Sequence, residues 1–167
     1  MRYPRGNTAI WDENAAAPIQ LGKGKVIQEG SDIALFAVGV MVETAIAVAE
    51  ILEEQGLSVA VINARFVKPL DEELLQKFAK SCQLIVTLEE NVIAGGFGSA
   101  VLESLQQSGI VAPVQTIGLP DRYISQGSPE QQREEAGLSV TKIVGSITGR
   151  LREIQLKSNK FRNVKVS

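Results

Sequence analysis

The sequence predicts a three-layer α/β/α domain built on a mainly parallel sheet. Three short stretches rich in apolar and β-branched residues, 33–38, 57–63 and 84–88, read as strands covered on both faces. Segments whose apolar residues recur at helical spacing lie between them, and such alternation is the pattern of parallel crossover units. Glycine or proline stands at most of the junctions, where the chain must turn.

The first strand is a short edge strand at 25–28, ended by a turn at Gly30. The Gly22-Lys23-Gly24 before it is no dinucleotide fingerprint, because it precedes a strand and lacks the third glycine. After the strand at 33–38, Gly39 turns into a helix over about 41–55. Val42, Ala45, Ile46, Ala49 and Leu52 form its inward stripe, and Glu43, Glu50, Glu53 and Glu54 face water. Gly56 stops that helix and the strand at 57–63 follows, completing a right-handed crossover.

In Arg65-Phe66-Val67-Lys68-Pro69-Leu70-Asp71, Pro69 disfavours helix at Lys68, and Asp71 is placed to cap a helix running to about Lys80. Leu74, Leu75 and Phe78 hold that helix to the sheet. Arg65, at a strand's carboxyl end, has two readings: it binds an anion, or it pairs with a neighbouring acid, the commoner arrangement at such edges.

The junction that follows has a strand at 84–88, a loop through Glu89, Glu90 and Asn91, and a helix over about 96–108 entered through Gly95-Gly96-Phe97-Gly98. Helix-start amides can receive an anion. No Lys-Ser or Lys-Thr follows the glycines, so this is no NTPase phosphate loop, and tight packing of the loop is the favoured reading. Were the strand to include both, the adjacent Glu89 and Glu90 would diverge; they make no obvious acid/base pair, and one of them is a candidate to reach an Arg across an interface. A last strand at 113–117 leads to a turn-rich loop over 118–128. Ser128 and Pro129 open a helix ending at Gly137, and Ser139 caps a final helix with Val140, Ile143, Val144, Ile147, Leu151 and Ile154 on one face.

The 167 residues fit one domain, and 44% hydrophobic against 22% charged residues is ordinary globular composition. No apolar run approaches the ~20 residues of a membrane helix, and the opening residues are no signal peptide. A net charge of −2 supplies no field for nucleic acid. Cys82 is the only cysteine and histidine is absent, which excludes an internal disulfide, a Ser-His-Asp triad and a Cys-His pair. No catalytic residue and no metal ligand set emerges. Arg2 and Arg5, flanking Pro4, suit a phosphate grip, although a solvated terminus is the commoner fate of such a pair. Lys157, Lys160, Arg162 and Lys165 form an unbalanced basic tail.

Four segments, taken together, resemble a known family. Arg2-Tyr3-Pro4-Arg5-Gly6, the Arg65 to Asp71 motif, Glu89-Glu90-Asn91 with Gly95-Gly96-Phe97-Gly98, and Gly118-Leu119-Pro120-Asp121 with Gln126-Gly127 occur in this order. They resemble the carboxy-terminal part of the 1-deoxy-D-xylulose-5-phosphate synthases, thiamine-diphosphate enzymes of the transketolase superfamily. The resemblance spans about residues 1–154.

It implies a five-stranded sheet whose first strand, at 25–28, is an antiparallel edge member. It divides the chain into the end of a preceding domain and linker (1–20), a transketolase C-terminal-like domain (21–154) and the basic tail (155–167). The implied enzyme is a homodimer condensing pyruvate with D-glyceraldehyde 3-phosphate and releasing carbon dioxide, with a product that feeds isoprenoid, thiamine and pyridoxal synthesis. Its thiamine diphosphate and Mg2+ are held by a Gly-Asp-Gly motif and a Glu of earlier domains, neither recognisable here. The chain is therefore expected to bind no cofactor and to be inactive by itself, with the preceding domains of the same polypeptide and a second subunit as partners. Arg2 matches the family's substrate-phosphate arginine, with Arg5 in support. Relatives carry Gln or His where Gln126 stands, which argues against proton transfer there. Arg65, Glu89, Glu90, Asn91, Gly95, Gly96, Gly98 and Asp121 are candidates for loops or interfaces. The expected location is the cytoplasm of a bacterium, or a plastid. The alternative is a free-standing interaction module of related fold that senses an anion or nucleotide at the glycine loop. A transketolase or 2-oxo acid dehydrogenase β subunit matches the motif series less well.

Overall fold

A computed structural model describes residues 18–164. The elements run β1 (Lys25–Gln28), β2 (Ile33–Ala37), α1 (Met41–Glu54), β3 (Val59–Asn63), α2 (Glu72–Ser81), β4 (Leu84–Val92), α3 (Phe97–Gln107), β5 (Val114–Leu119), α4 (Pro129–Ala136) and α5 (Val140–Val164). One five-stranded sheet has the order β1-β3-β2-β4-β5. β1 pairs antiparallel with β3, and every other pairing is parallel. The mixed sheet with one reversed edge strand is thus the architecture that the motifs imply.

The strand order follows from the crossovers. From β2 the chain steps outward to β3, then returns past β2 to β4 and continues to β5. With one crossover hand, that reversal puts the first helix on one face and the next two on the other. Accordingly α1 and α5 cover one core of Ile33, Leu35, Val59, Val61, Val86 and Leu88. Helices α2 and α3 cover a second, of Ala34, Phe36, Ile62, Phe78, Ile85 and Phe97. Central β2 is buried on both faces, which is why it reads as a continuous apolar run. At ~25 cal/mol per Å2, each fully buried side chain of Leu, Ile or Phe size contributes roughly 1.5–3 kcal/mol.

Helix α1 buries Met41, Val42, Ala45, Val48, Ala49 and Leu52, while Ile46 is only partly covered. Asp71 caps α2 by accepting the Leu74 N–H at 3.2 Å, and its second oxygen accepts the Gly24 N–H at 3.0 Å, tying the entry to β1 onto α2. Ser128 and Gln131 form a capping box at the start of α4. Ser139 stands at the start of α5 and its carbonyl accepts the Ile143 N–H, but its hydroxyl makes no hydrogen bond, contrary to the side-chain cap expected.

Two elements differ from expectation. Strand β4 does not stop at Leu88 but continues through Glu89, Glu90 and Asn91 to Val92, so these three residues are strand, not loop. Pairing with β5 shifts register between Leu88 and Val92 and resumes at Val92 opposite Leu119. Helix α5 continues to Val164, through most of the stretch set apart as a tail, because Gln155, Leu156 and Lys157 are good helix formers with no Gly or Pro to stop them.

Candidate functional site

The carboxyl edge of the parallel strands gathers the sequence motifs. Strand β2 is where the direction of winding reverses, so the crevice beyond β2 and β4 is the topological switch point, the usual ligand position in open α/β sheets. Around it lie Val38–Val40 after β2, Ala64 and Arg65 after β3, the end of β4, and the loop after β5.

Glu89 decides what the glycine junction is for. In a strand, alternate residues share a face, so Ile85, Thr87 and Glu89 all point to the α3 side. Glu89 is 2% exposed, and its carboxylate accepts the Phe97 N–H at 2.8 Å and the Gly98 N–H at 2.9 Å. A buried anion is thereby matched to the positive end of α3 and to two otherwise orphaned donors. The remaining amides are also used: the Gly95 N–H donates to Ser99 Oγ and the Gly96 N–H to the Ile93 carbonyl. No amide from 95 to 98 is left for an external anion, so the junction is not the anion pocket of the alternative reading.

The glycines are there for space. A Cβ on Gly96 would collide with Glu89 Oε2 and lie 2.5 Å from the Val92 carbonyl; one on Gly98 would lie 2.6 Å from Thr116 Cγ2 and 2.8 Å from Thr87 Oγ1. Gly118 completes the enclosure, since its Cβ would stand 2.9 Å from Glu89 Cγ. Tight packing, the favoured reading of the motif, is what these distances describe. Glu89 itself departs from expectation: it is buried and engaged within the chain, not displayed on a loop.

The other candidates lie nearby without converging. Glu90 points the opposite way from Glu89 and pairs with Arg133 of α4 at 3.4 Å, within its own chain. Asn91 is exposed. Arg65 is half-buried and left-handed at φ 57°, with its N–H donated to Asn63 Oδ1 at 2.9 Å. The carboxylate expected beside it is absent: no acid among the described residues pairs with Arg65. Asp121 is exposed and likewise has no cation among the described residues. Arg2 and Arg5 lie outside the described residues.

One feature escaped the sequence reading. Glu135 of α4 accepts the Ser125 N–H at 3.3 Å and pairs with Arg122 at 3.9 Å, while Gln132 donates to the Ser125 carbonyl. The loop is pinned, and it presents a fully exposed Tyr123 beside an open recess of about 500 Å3 lined by Val92, Leu119, Pro120 and Ile124. An aromatic among turn residues was the available signal.

Among the described residues, the donors do not fit thiamine diphosphate and a divalent cation. No cluster of three metal-ligating side chains occurs among the described residues, and the helix start that would face a diphosphate is closed by Glu89. No helix among the described residues is long and apolar enough to cross a membrane.

The relatives agree with this architecture. A 1-deoxy-D-xylulose-5-phosphate synthase of Thermosynechococcus vestitus is 47% identical over 150 residues, covering 88% of this chain and 23% of that protein. The synthase of Desulforudis audaxviator is 49% identical over 148 residues, covering 86% and 23%. This chain therefore spans about a quarter of the length of the curated relatives it matches. Among solved structures, a split-gene transketolase described as an inactive β4 tetramer superposes with TM-score 0.80 at 31% identity, over 88% of this chain and 47% of that one. A transketolase of Campylobacter jejuni, at 18% identity and TM-score 0.52 over 77% of this chain and 18% of that one, shares the fold. The family described as transketolase, C-terminal domain, matches residues 22–143, and this chain belongs to it.

Proposed function

We propose that this chain is the C-terminal scaffold and dimerisation domain of a thiamine-diphosphate-dependent 1-deoxy-D-xylulose-5-phosphate synthase. The observation that carries the reading is the 47% identity to a named synthase over 88% of this chain and only 23% of the relative. The condensation of pyruvate with glyceraldehyde 3-phosphate, the cofactor and Mg2+ then belong to the preceding domains of the same polypeptide, with the enzyme acting as a homodimer in the cytoplasm. The engaged carboxylates support this division of labour. Glu89 caps α3, Asp71 caps α2, and Glu90 and Glu135 hold α4 and its loop. These acids serve shape, and no pair of them is poised to exchange protons with a substrate. Arg2 and Arg5 would then grip the substrate phosphate from the domain boundary, while Arg65, Asn91 and Asp121 face a neighbouring surface.

The test is direct. The purified chain, supplied with pyruvate, glyceraldehyde 3-phosphate, thiamine diphosphate and Mg2+, is expected to show no carbon dioxide release above a protein-free control. Turnover by this chain alone would overturn the assignment of the chemistry to other domains.

A further inference from the structure

We infer that the corner of the sheet where β1 meets the loop after β3 is the docking site of this chain's own residues 10–13, with Trp11 seated on its apolar side chains and Asp12 and Glu13 on its cations. The inference concerns the chain's own packing and goes beyond the proposed domain role.

The chain enters β1 along that loop and is fixed to it. Because β1 is antiparallel to β3, Lys25 stands opposite Asn63, and the residues before it lie at the carboxyl edge. A Cβ on Gly24 would lie 3.2 Å from the Asn63 carbonyl oxygen and one on Gly22 would lie 2.9 Å from Pro69 Cγ, so residues 22–24 run beside 63–69. A turn closed by the Lys23 N–H on the Gln20 carbonyl, at 3.2 Å, puts Leu21 at its tip. Hence Ile19, Leu21 and Val67, respectively 67%, 72% and 43% exposed, gather within a few residues of the contact between Gly22 and Pro69. Large apolar side chains grouped in the open mark a surface that something covers.

Charge says what kind of group covers it. Lys25, Arg65 and Lys68 have no acid within ion-pairing distance among the described residues. Nearby Asp71 and Glu73 are taken by Lys23, and Glu72 pairs with none of the three. The other cations without such a partner, Lys80, Arg152 and Lys157, sit at the far end of α2 and on α5. The corner thus presents apolar side chains among three unmatched positive charges, and its complement is an apolar side chain beside acids.

The stretch leading into the described residues carries that complement. Ile10-Trp11-Asp12-Glu13 holds the chain's only tryptophan and the only acids before Pro18. Trp11 stands seven residues before Pro18, a reach of up to about 23–25 Å at ~3.3–3.6 Å per residue, while Pro18 is at most ~14 Å from Gly22 by the same measure. So short a tether gives the segment an effective concentration in the mM range, and a modest patch is then enough to hold it. A partner arriving from solution has no such advantage.

With one tryptophan, the fluorescence of the full 167-residue chain reports on Trp11 alone. Its emission is expected to lie to the blue of the urea-unfolded chain, and its acrylamide quenching to be several-fold weaker than that of N-acetyltryptophanamide, at every protein concentration. Val67→Glu, at an exposed position, removes an apolar contact and competes with Asp12 and Glu13 for the cations. It is expected to return emission and quenching to those of the unfolded chain while circular dichroism shows the fold kept. Asp12→Asn with Glu13→Gln should raise quenching by a smaller factor, and Leu102→Glu, on α3, should change neither reading. Quenching of the unmodified chain equal to that of the free amide, a Val67→Glu or neutralised-acid variant quenched no faster than the unmodified chain, or release of Trp11 by Leu102→Glu would each overturn the docking. So would protection that fades on dilution, the signature of a segment lent by a second copy. No substrate enters these measurements, so they fail or succeed apart from the proposed function.

Discussion

Replacing Glu89 by Ala removes one carboxylate and strands two buried amides. Phe97 and Gly98 both donate to it, at 2.8 and 2.9 Å, and with the residue only 2% exposed no solvent takes its place. Each unsatisfied buried donor costs about 1–3 kcal/mol, and loss of a negative charge at a helix start adds up to ~1 kcal/mol. Relief of the carboxylate's own burial offsets part of this, leaving an expected loss of about 3–5 kcal/mol. For a chain of this size that corresponds to a fall in Tm on the order of 10 °C. Glu89→Gln keeps the shape and one acceptor, so its expected loss is smaller, about 2 kcal/mol. Urea unfolding measures the energies, and native-state hydrogen exchange at the Phe97 and Gly98 amides localises them. If Glu89→Ala unfolds within ~0.5 kcal/mol of the unmodified chain and those amides stay protected, the cap is not what holds α3.

The same surroundings yield further expectations. Thr87 is fully buried and its Oγ1 has no partner, so Thr87→Val, which keeps the shape and removes the stranded hydroxyl, should stabilise the chain by about 1 kcal/mol in urea unfolding. Gly98→Ala drives a methyl to 2.6 Å from Thr116 Cγ2 and should cost about 1–3 kcal/mol, measured the same way. The Lys23 ammonium is raised above its usual 10.5 by its hydrogen bond to Glu73 and by Asp71, so the stability it contributes is complete below that value and is lost as pH rises through the higher folded value. Lys23→Met should therefore flatten the alkaline end of a Tm-against-pH curve, and, the pair being exposed, salt should shrink the difference. Burial pushes the Cys82 thiol up, so a thiol reagent should label the native chain slowly and the urea-unfolded chain at once.

How much was legible follows from where each residue's partners lie. Strands β2 and β3 announce themselves because both faces are covered and no polar residue interrupts the run. Asp71 and Ser128 are legible as caps because a cap's partner is three residues away in sequence. Glu89 is not, since its partners lie eight and nine residues on, and two acids in a row resemble the end of a strand. The strand's period of two, extended from Ile85 through Thr87, was the clue that it faces α3. Arg65 could not be placed because its left-handed backbone is set by the fold, and the acid expected to meet it is not supplied by the described part of the chain. The Glu135 anchor of the Tyr123 loop was missed for another reason: a charged residue on an exposed helix carries no pattern that distinguishes a tether from a solvated face.

The central claim is that this domain lends shape and contact surface to chemistry housed in the rest of a synthase. Its most direct test is a chimera in which this chain replaces the matching 23% of the Thermosynechococcus vestitus synthase. Release of carbon dioxide from pyruvate, dependent on glyceraldehyde 3-phosphate and close to the parent enzyme's rate, is the expected result. A chimera that folds and assembles like its parent yet turns nothing over would contradict it.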